Sequence, residues 1–416
     1  FLTRVEIEFP ESKILDGALF TKANVYYLQG RYGSAEKTAL SLLDREKNTE
    51  KKNIYRYFLG WNSYMLGRFA KAVEYYDAII KSNDGPVMEA WASYKKAQCL
   101  EAAGRKQEAE AQYRVVLEKY AYTVPSAYSL YAIAYAAYLK GEYHEALTDF
   151  DALISVYNVE ELKIASYYMK GSILLASAQF ADARENYERL ERDFQGEIYT
   201  ARFLKAWSHY REGGFKSAMD IFNWITKVTA APADLKIKSH IKIGDCLFEM
   251  GKYDEASVYY SDVAGNTDKK NDDAAEARLG LGWIAYAGDD FKTARAEFNR
   301  AEKQAESIEI KSRAAFMAAN TYYSDYNFDR ALAGYSRIAS DSLAPQAVRA
   351  EAVYYLGWSR YRKGDFEGAV SEWRKYYTVV TDKVKKADAV YRIGWAYFRK
   401  NDFDSAVSEF KKIISD

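Results

Sequence analysis

The 416-residue chain has only five prolines, too few for a disordered or collagen-like segment. Its two cysteines cannot build a disulfide framework. Net charge is absent too: Lys+Arg and Asp+Glu both number 59, so the basic footprint that neutralises nucleic-acid phosphates is missing. His144, His209 and His240 never pair at metal-ligand spacing. No apolar run reaches membrane-spanning length; the stretch Ser126 to Leu139 is too short and too rich in tyrosine. What the chain has in excess is aromatic, with 38 Tyr, 20 Phe and 8 Trp.

Those aromatics are periodic. The pattern small-x-x-x-aromatic-x-x-Gly-x-aromatic-x-x-Ala closes at Ala35, Ala72, Ala109, Ala146, Ala183, Ala218, Ala256, Ala294, Ala331, Ala369 and Ala406, at spacings of 35 to 38 residues. Three residues before each Ala stands an aromatic, with Lys106 the one exception. Twelve residues before it stands Gly or Ala: Ala23, Gly60, Ala97, Ala134, Gly171, Ala206, Gly244, Gly282, Ala319, Gly357 and Gly394. This predicts a helical hairpin per repeat. The small residue lets two helices approach closely. The glycines at 30, 67, 104, 141, 213, 251 and 364 end the first helix by entering the left-handed region. A second helix then carries its apolar stripe to Tyr76, Tyr113, Phe150, Tyr187, Phe222, Tyr260, Phe298, Tyr335, Trp373 and Phe410, four residues past the closing Ala. One hairpin cannot bury its apolar face, so neighbours must stack.

Motifs such as Leu59-Gly60-Trp61, Gly67-Arg68-Phe69-Ala70-Lys71-Ala72 and Gly364-Asp365-Phe366-Glu367-Gly368-Ala369 resemble the tetratricopeptide repeat (TPR) family, over essentially the whole chain. The resemblance implies an all-α, right-handed superhelical solenoid of about eleven helix-turn-helix repeats, with first helices lining a concave surface. The family's period is shorter, so helices or connections here are expected to be slightly longer. The family's late proline is missing; Pro86, Pro125, Pro232 and Pro345 fall near the start of the next first helix instead, where a missing N–H costs nothing. Phe9-Pro10-Glu11-Ser12, followed by Ala18, resembles the joint of bacterial cell-envelope repeat proteins, among them outer-membrane assembly lipoproteins and the periplasmic factor of the Tol–Pal system. That joint implies a periplasmic or outer-membrane-associated location, with the cytoplasm as the alternative.

Residues 1–416 read as one solenoid, with 1–9 the end of a preceding repeat. Leu2 and Val5 at one end, and Phe410, Ile413 and Ile414 at the other, read as uncapped apolar faces. The native array is therefore expected to be longer, or these ends covered by another surface. Irregularity is expected at Lys227 to Leu235, at the polar loop Gly265 to Asp273, and in the third repeat, where Glu101 and Lys106 replace aromatics.

No catalytic constellation emerges, so the chain is read as a non-enzyme without metal or cofactor. Asp272-Asp273 and Asp289-Asp290 read as helix-start caps. Cys99 and Cys246, at one repeat position four repeats apart, read as free packed thiols. The informative feature is the first helix. Trp61, Trp207, Trp283, Trp358 and Trp395 each follow the small residue, and Tyr64, Tyr210, Tyr286, Tyr361 and Phe398 stand three residues further. Tyr57, Tyr94, Tyr131, Tyr168, Tyr354 and Tyr391 precede the small residue by three. These aromatics either stack repeats together or line a groove for a partner. Asn24, Gln98, Ser172, Asp245 and Asn320 hold the Trp position elsewhere, which predicts polar zones between aromatic ones.

Charge is uneven. Residues 151–200 hold 5 basic and 9 acidic residues, whereas Arg360 to Lys400 hold 11 basic and 5 acidic. Arg360, Arg362, Lys363, Arg374, Lys375, Lys385, Lys386, Arg399 and Lys400 mark a basic patch for an acidic partner or for head-to-tail self-association. The expected function is a non-catalytic scaffold that binds a protein or peptide through the concave face or the array ends. Two alternatives are a structural part of a large bacterial envelope assembly, such as a motor or secretion apparatus, and a polysaccharide-binding groove in exopolymer secretion. No nucleic-acid partner and no transmembrane segment are expected.

Overall fold

The computed structural model describes residues 14–265 and 271–415. Leu2, Val5, the joint Phe9 to Ser12, residues 266–270 of the polar loop and the side chain of Ile414 lie outside that description. The described residues form twenty-two α-helices and one 3-10 turn, with no strand among them. They fall into two compact units, 1–195 and 196–416.

The first unit holds five hairpins: α1 (Leu15–Leu28) with α2 (Tyr32–Arg45), α3 (Thr49–Met65) with α4 (Phe69–Ser82), α5 (Pro86–Ala102) with α6 (Lys106–Lys119), α7 (Val124–Lys140) with α8 (Tyr143–Val156), and α9 (Glu160–Ala176) with α10 (Phe180–Asp193). The second holds six: α11 (Ile198–Glu212) with α12 (Phe215–Lys227), α13 (Ala233–Glu249) with α14 (Tyr253–Ala264), α15 (Asp272–Ala287) with α16 (Phe291–Gln304), α17 (Ile308–Ser324) with α18 (Phe328–Ser340), α19 (Gln346–Arg362) with α20 (Phe366–Val379), and α21 (Lys383–Arg399) with α22 (Phe403–Ser415). Odd-numbered helices are the first of each repeat and even-numbered the second. Helix length accounts for the period: α3 has 17 residues and α4 has 14, and short connections at 66–68 and 83–85 complete the repeat. Pro86 is the first residue of α5, and Pro345 precedes α19 directly, so neither removes a helical hydrogen bond.

Every hairpin turn has one geometry. The residue five before the closing Ala has positive φ in all eleven repeats. Seven are the predicted glycines, with φ from +71° to +89°. The other four are Ala178, Asp289, Tyr326 and Asn401, with φ from +56° to +64°. The following N–H then bonds the carbonyl five residues back, as Arg68 does to Ser63 at 2.9 Å and Gln179 to Leu174 at 2.8 Å. Orphan carbonyls at the first helix's end are thereby satisfied.

The core is the seam between the two helices of each repeat. All eleven closing alanines are buried, and so is each stripe aromatic from Tyr76 to Trp373. Phe410, in the last hairpin, is half-buried. The small residue of the first helix faces this ring. A Cβ on Gly60 would lie 2.7 Å from the Tyr76 ring, and one on Gly394 would lie 2.5 Å from Phe410. Gly171, Gly282 and Gly357 stand in the same relation to Tyr187, Phe298 and Trp373. Burying one such ring is worth about 2–3 kcal/mol, which no larger residue at the glycine would permit. Four of the six tyrosines three before the small residue pack on the same ring: Tyr57 on Tyr76 at 5.7 Å, Tyr94 on Tyr113 at 5.9 Å, Tyr131 on Phe150 at 5.7 Å and Tyr391 on Phe410 at 5.9 Å, while Tyr354 packs on Tyr376 at 5.0 Å. They belong to the seam.

Candidate functional site

The tryptophans stand one residue beyond the small position. One residue is about 100° of helix rotation, which turns them off the seam toward the row of neighbouring first helices. Consecutive first helices within each unit touch one another. Each Trp meets the aromatic three residues on. Trp61–Tyr64 and Trp207–Tyr210 are stacked face to face, at 5.2 and 5.0 Å with planes 2° and 10° apart. Trp283–Tyr286, Trp358–Tyr361 and Trp395–Phe398 meet edge to face at 5.7, 5.7 and 5.3 Å. The second member of each pair also packs edge-on against the ring that opens the second helix: Phe69, Phe215, Phe291, Phe366 and Phe403, all at 5.3–5.6 Å. The Tyr/Phe partners are thus fixed in the hairpin turn, while the tryptophans lie outside it.

Three tryptophans are covered by a cation from the next repeat. Lys95 Nζ lies 4.3 Å from the Trp61 ring centre, Lys242 Nζ 4.9 Å from Trp207, and the Arg392 guanidinium 4.8 Å from Trp358. Ammonium and guanidinium groups are held there by the negative face of the indole. Each cation also has a polar neighbour in its own helix: Lys95 bonds Gln98 Oε1 at 2.9 Å, Lys242 pairs with Asp245 at 2.7 Å, and Arg392 with Asp388 at 3.0 Å. Desolvation pulls the Lys95 ammonium below its usual range. Trp61, Trp207 and Trp358 are half-buried, whereas Trp283 and Trp395 are 40% and 39% exposed. The sequence reading missed these cations, although their constant distance of 34 or 35 residues beyond the Trp was there to be found.

The polar occupants of the Trp position explain themselves through the seam. Asp245 accepts a 2.7 Å hydrogen bond from the buried Tyr260 phenol, and Asn320 accepts one from Tyr335 at 2.5 Å. In the third repeat Glu101 does the same for Tyr113 at 2.9 Å. Two residues expected to make polar zones, Asp245 and Asn320, thus serve buried hydroxyls of their own hairpin. Tyr76 is opposite: its repeat has Trp61 at that position, and its buried hydroxyl has no hydrogen-bond partner.

The basic patch is largely paired internally. Arg360 bridges Asp365 at 2.8 Å and Glu372 at 3.5 Å, and Lys375 reaches Glu372 at 3.0 Å. Arg374 meets Glu409 at 3.5 Å, Lys400 meets Glu367 at 2.6 Å, and Lys363 pairs with Asp329. Arg362, Lys386 and Arg399 lie over aromatic rings of the second unit, and the Lys385 side chain is exposed. Arg374 borders two clefts in the last two hairpins. One, of about 570 Å³, runs past Lys375, Tyr397 and Lys400; the other, of about 960 Å³, is lined by Val384, Val390, Ile393 and Ile413 together with Lys383 and Lys386.

Catalytic geometry is not evident among the described residues, which contain no cluster of His, Cys, Asp and Glu able to hold a metal ion. Cys99 and Cys246 are buried, free and helix-packed, and burial pushes both thiols up to about 12, so neither is poised as a nucleophile. Asn271 and Asp290 cap α15 and α16 by accepting from Ala274 and Thr293, and Asp272 bonds the backbone of Glu306 and Ser307. Of the two acidic pairs expected to cap helices, Asp290 does so; at α15 the cap is the amide Asn271, and Asp272 instead accepts from the connection that precedes α17. No described helix is long and apolar enough to cross a membrane.

Comparison with known proteins agrees with this architecture. Family profiles described as tetratricopeptide repeat match residues 20–86, 66–123, 168–232, 241–307 and 316–378, and a further one matches 388–416. No curated protein matches the chain. Among solved structures, a tetratricopeptide repeat protein from Parabacteroides merdae is similar at 18% identity and a TM-score of 0.43, over 66% of this chain and 98% of that one. The apo quorum sensor NprR from B. thuringiensis is similar at 14% identity and 0.48, over 79% and 98%. Yeast Tom70 is similar at 12% identity and 0.48, over 93% and 96%.

Proposed function

Because the chain belongs to the tetratricopeptide repeat family, we propose that it is a non-catalytic scaffold that takes up a protein segment along the first helices of its second unit. Proteins of this family generally act as protein-interaction scaffolds, and the family premise supplies the class of partner. The observation that carries the position is exposure. Trp283 and Trp395 hold one register three repeats apart and are 40% and 39% exposed, and Phe398, about one turn beyond Trp395, is 44% exposed. A large, rigid aromatic left partly in water gains contact area on docking at little entropic cost. The hairpins hold these rings in place before a partner arrives, which keeps the ordering cost low.

A photo-crosslinking amino acid at Trp283 or Trp395, compared with one at Val258 or Val407 on second helices, tests the reading. Those two valines are 67% and 51% exposed and serve as apolar controls. Crosslinking to protein concentrated at the first-helix positions supports the proposal. Equal capture at all four positions, or capture at the valines alone, would overturn it.

A further inference from the structure

We propose that Trp283 is the receptor for an arginine side chain supplied by the partner protein, taking the place that the chain's own cations take on three other tryptophans. The proposal rests on the scaffold reading and names the chemistry of its contact. Trp283 and Trp358 have matching frames. Trp358 stands edge-on to Tyr361 and to the seam ring Trp373, at 5.7 and 5.6 Å with interplanar angles of 79° and 81°. Trp283 stands edge-on to Tyr286 and to the seam ring Phe298, at 5.7 and 6.0 Å with angles of 76° and 81°.

What differs is the cover. Thirty-four residues beyond Trp358 is Arg392, with its guanidinium 4.8 Å from the ring centre. Thirty-four beyond Trp61 is Lys95, at 4.3 Å. Thirty-four beyond Trp283 is Met317, which is uncharged, only 6% exposed and in contact with Asn320 in its own helix. Among the described residues no cation lies over Trp283, and its ring is the most exposed of the five. An indole held this way keeps its attraction for a cation whether or not the chain provides one. In the preceding first helix Asp245, at the register of Trp283, is already paired with Lys242, but Glu249 one turn later is exposed, accepts only a 3.5 Å bond from Tyr210 and adds negative charge to this row. A guanidinium is preferred to an ammonium because it stacks flat on a ring and is more weakly hydrated.

The test uses the full chain labelled with 5-fluorotryptophan, with the Trp283 and Trp358 resonances assigned by Trp283→Phe and Trp358→Phe. The probes are N-acetylarginine amide, its neutral citrulline counterpart and choline. Arginine amide should move the Trp283 resonance saturably, with citrulline at least about threefold weaker, and should leave Trp358 unmoved. Met317→Arg should abolish the Trp283 response. Arg392→Ala should make Trp358 respond as Trp283 does, a readout that does not depend on how Met317→Arg folds. A silent Trp283 beside a responsive Trp358 in Arg392→Ala would overturn the proposal, and so would equal response to citrulline. Stronger response to choline would assign the ring to a quaternary ammonium ligand and overturn it likewise. Crosslinking of protein at Trp283 without an arginine response removes this inference alone; absence of first-helix crosslinking removes the scaffold reading itself.

Discussion

Trp373 and Trp283 occupy fixed places in two repeats of one unit, yet Trp373 is 1% exposed and Trp283 40%. The distinction is a matter of what each ring faces. Trp373 projects from α20 onto the space left by Gly357, and its indole N–H donates to the Tyr354 carbonyl at 3.1 Å. Trp283 follows Gly282 by one residue, so it meets the seam ring Phe298 only edge-on, at 6.0 Å, and keeps much of its surface in water. Both aromatic rows are periodic, and period alone does not separate stacking from contact. Within one repeat the seam row carries the fold and the other row is partly left to water.

Mutation should separate the rows most sharply at these two positions. Trp373→Ala should cost about 3–5 kcal/mol, by lost burial and the cavity that remains. Trp283→Ala should cost less than about 2 kcal/mol, in proportion to the smaller area removed. Urea midpoints of the full-length variants would show it, and equal losses would break the distinction.

Alkali should attack the seam row next. Burial pushes the Tyr187 phenol up to about 12 from its ordinary 10. The folded state therefore favours the protonated phenol. The stability this contributes is complete below about pH 10 and is lost as pH rises toward 12, at roughly 1.4 kcal/mol per unit for one such group. Tyr57 and Tyr94 are raised to about 12 by the same cause and add to the loss. Urea midpoints should hold steady between pH 8 and 9.5 and fall steeply above pH 10.5; a flat profile to pH 12 would contradict the burial of these phenols.

Two tyrosines of the seam should respond with opposite sign to loss of the hydroxyl. Tyr260 donates a hydrogen bond to Asp245, so Tyr260→Phe should cost about 1 kcal/mol. The Tyr76 hydroxyl is buried without a partner, so Tyr76→Phe should gain about 1 kcal/mol. Hydrogen exchange in α4 and α14 would read each effect locally, which matters because a stacked array need not unfold in one step.

The residues that make the repeat were legible because they recur. Closing alanines, small seam residues and seam rings each answer a single packing demand, and the structure places them as the periodicity predicts. The turns were legible only in part. Glycine marked seven of the eleven left-handed residues, while Ala178, Asp289, Tyr326 and Asn401 hold the same conformation against their intrinsic preference. Their distance from the closing Ala would have found them where residue type did not. Ala178→Gly should therefore stabilise by about 1 kcal/mol, measurable as a raised urea midpoint. The site was less legible. The five Trp/aromatic pairs could be read from spacing, but Lys95, Lys242 and Arg392 belong to the following repeat, and only stacking brings them over the rings. The predicted patch around Arg360 looked like free charge because Glu372 and Glu409, which neutralise part of it, lie on other helices.

The smallest effect probes the tryptophan row itself. Lys95→Met gives Trp61 the neighbour that Trp283 already has. The lost cation–π contact costs about 0.5–1 kcal/mol, but the lysine is also relieved of its desolvation, so net stability should move by less than about 0.5 kcal/mol. The informative quantity is the coupling. A double-mutant cycle of Lys95→Met with Trp61→Phe should return about 0.5–1 kcal/mol, and the same cycle on Met317 and Trp283 should return close to zero. With its cover removed, Trp61 should also become more open to quenching by iodide, approaching Trp283. If the first cycle gives no coupling, the ammonium over Trp61 is incidental, and the internal precedent for a cation on Trp283 is reduced to Lys242 and Arg392.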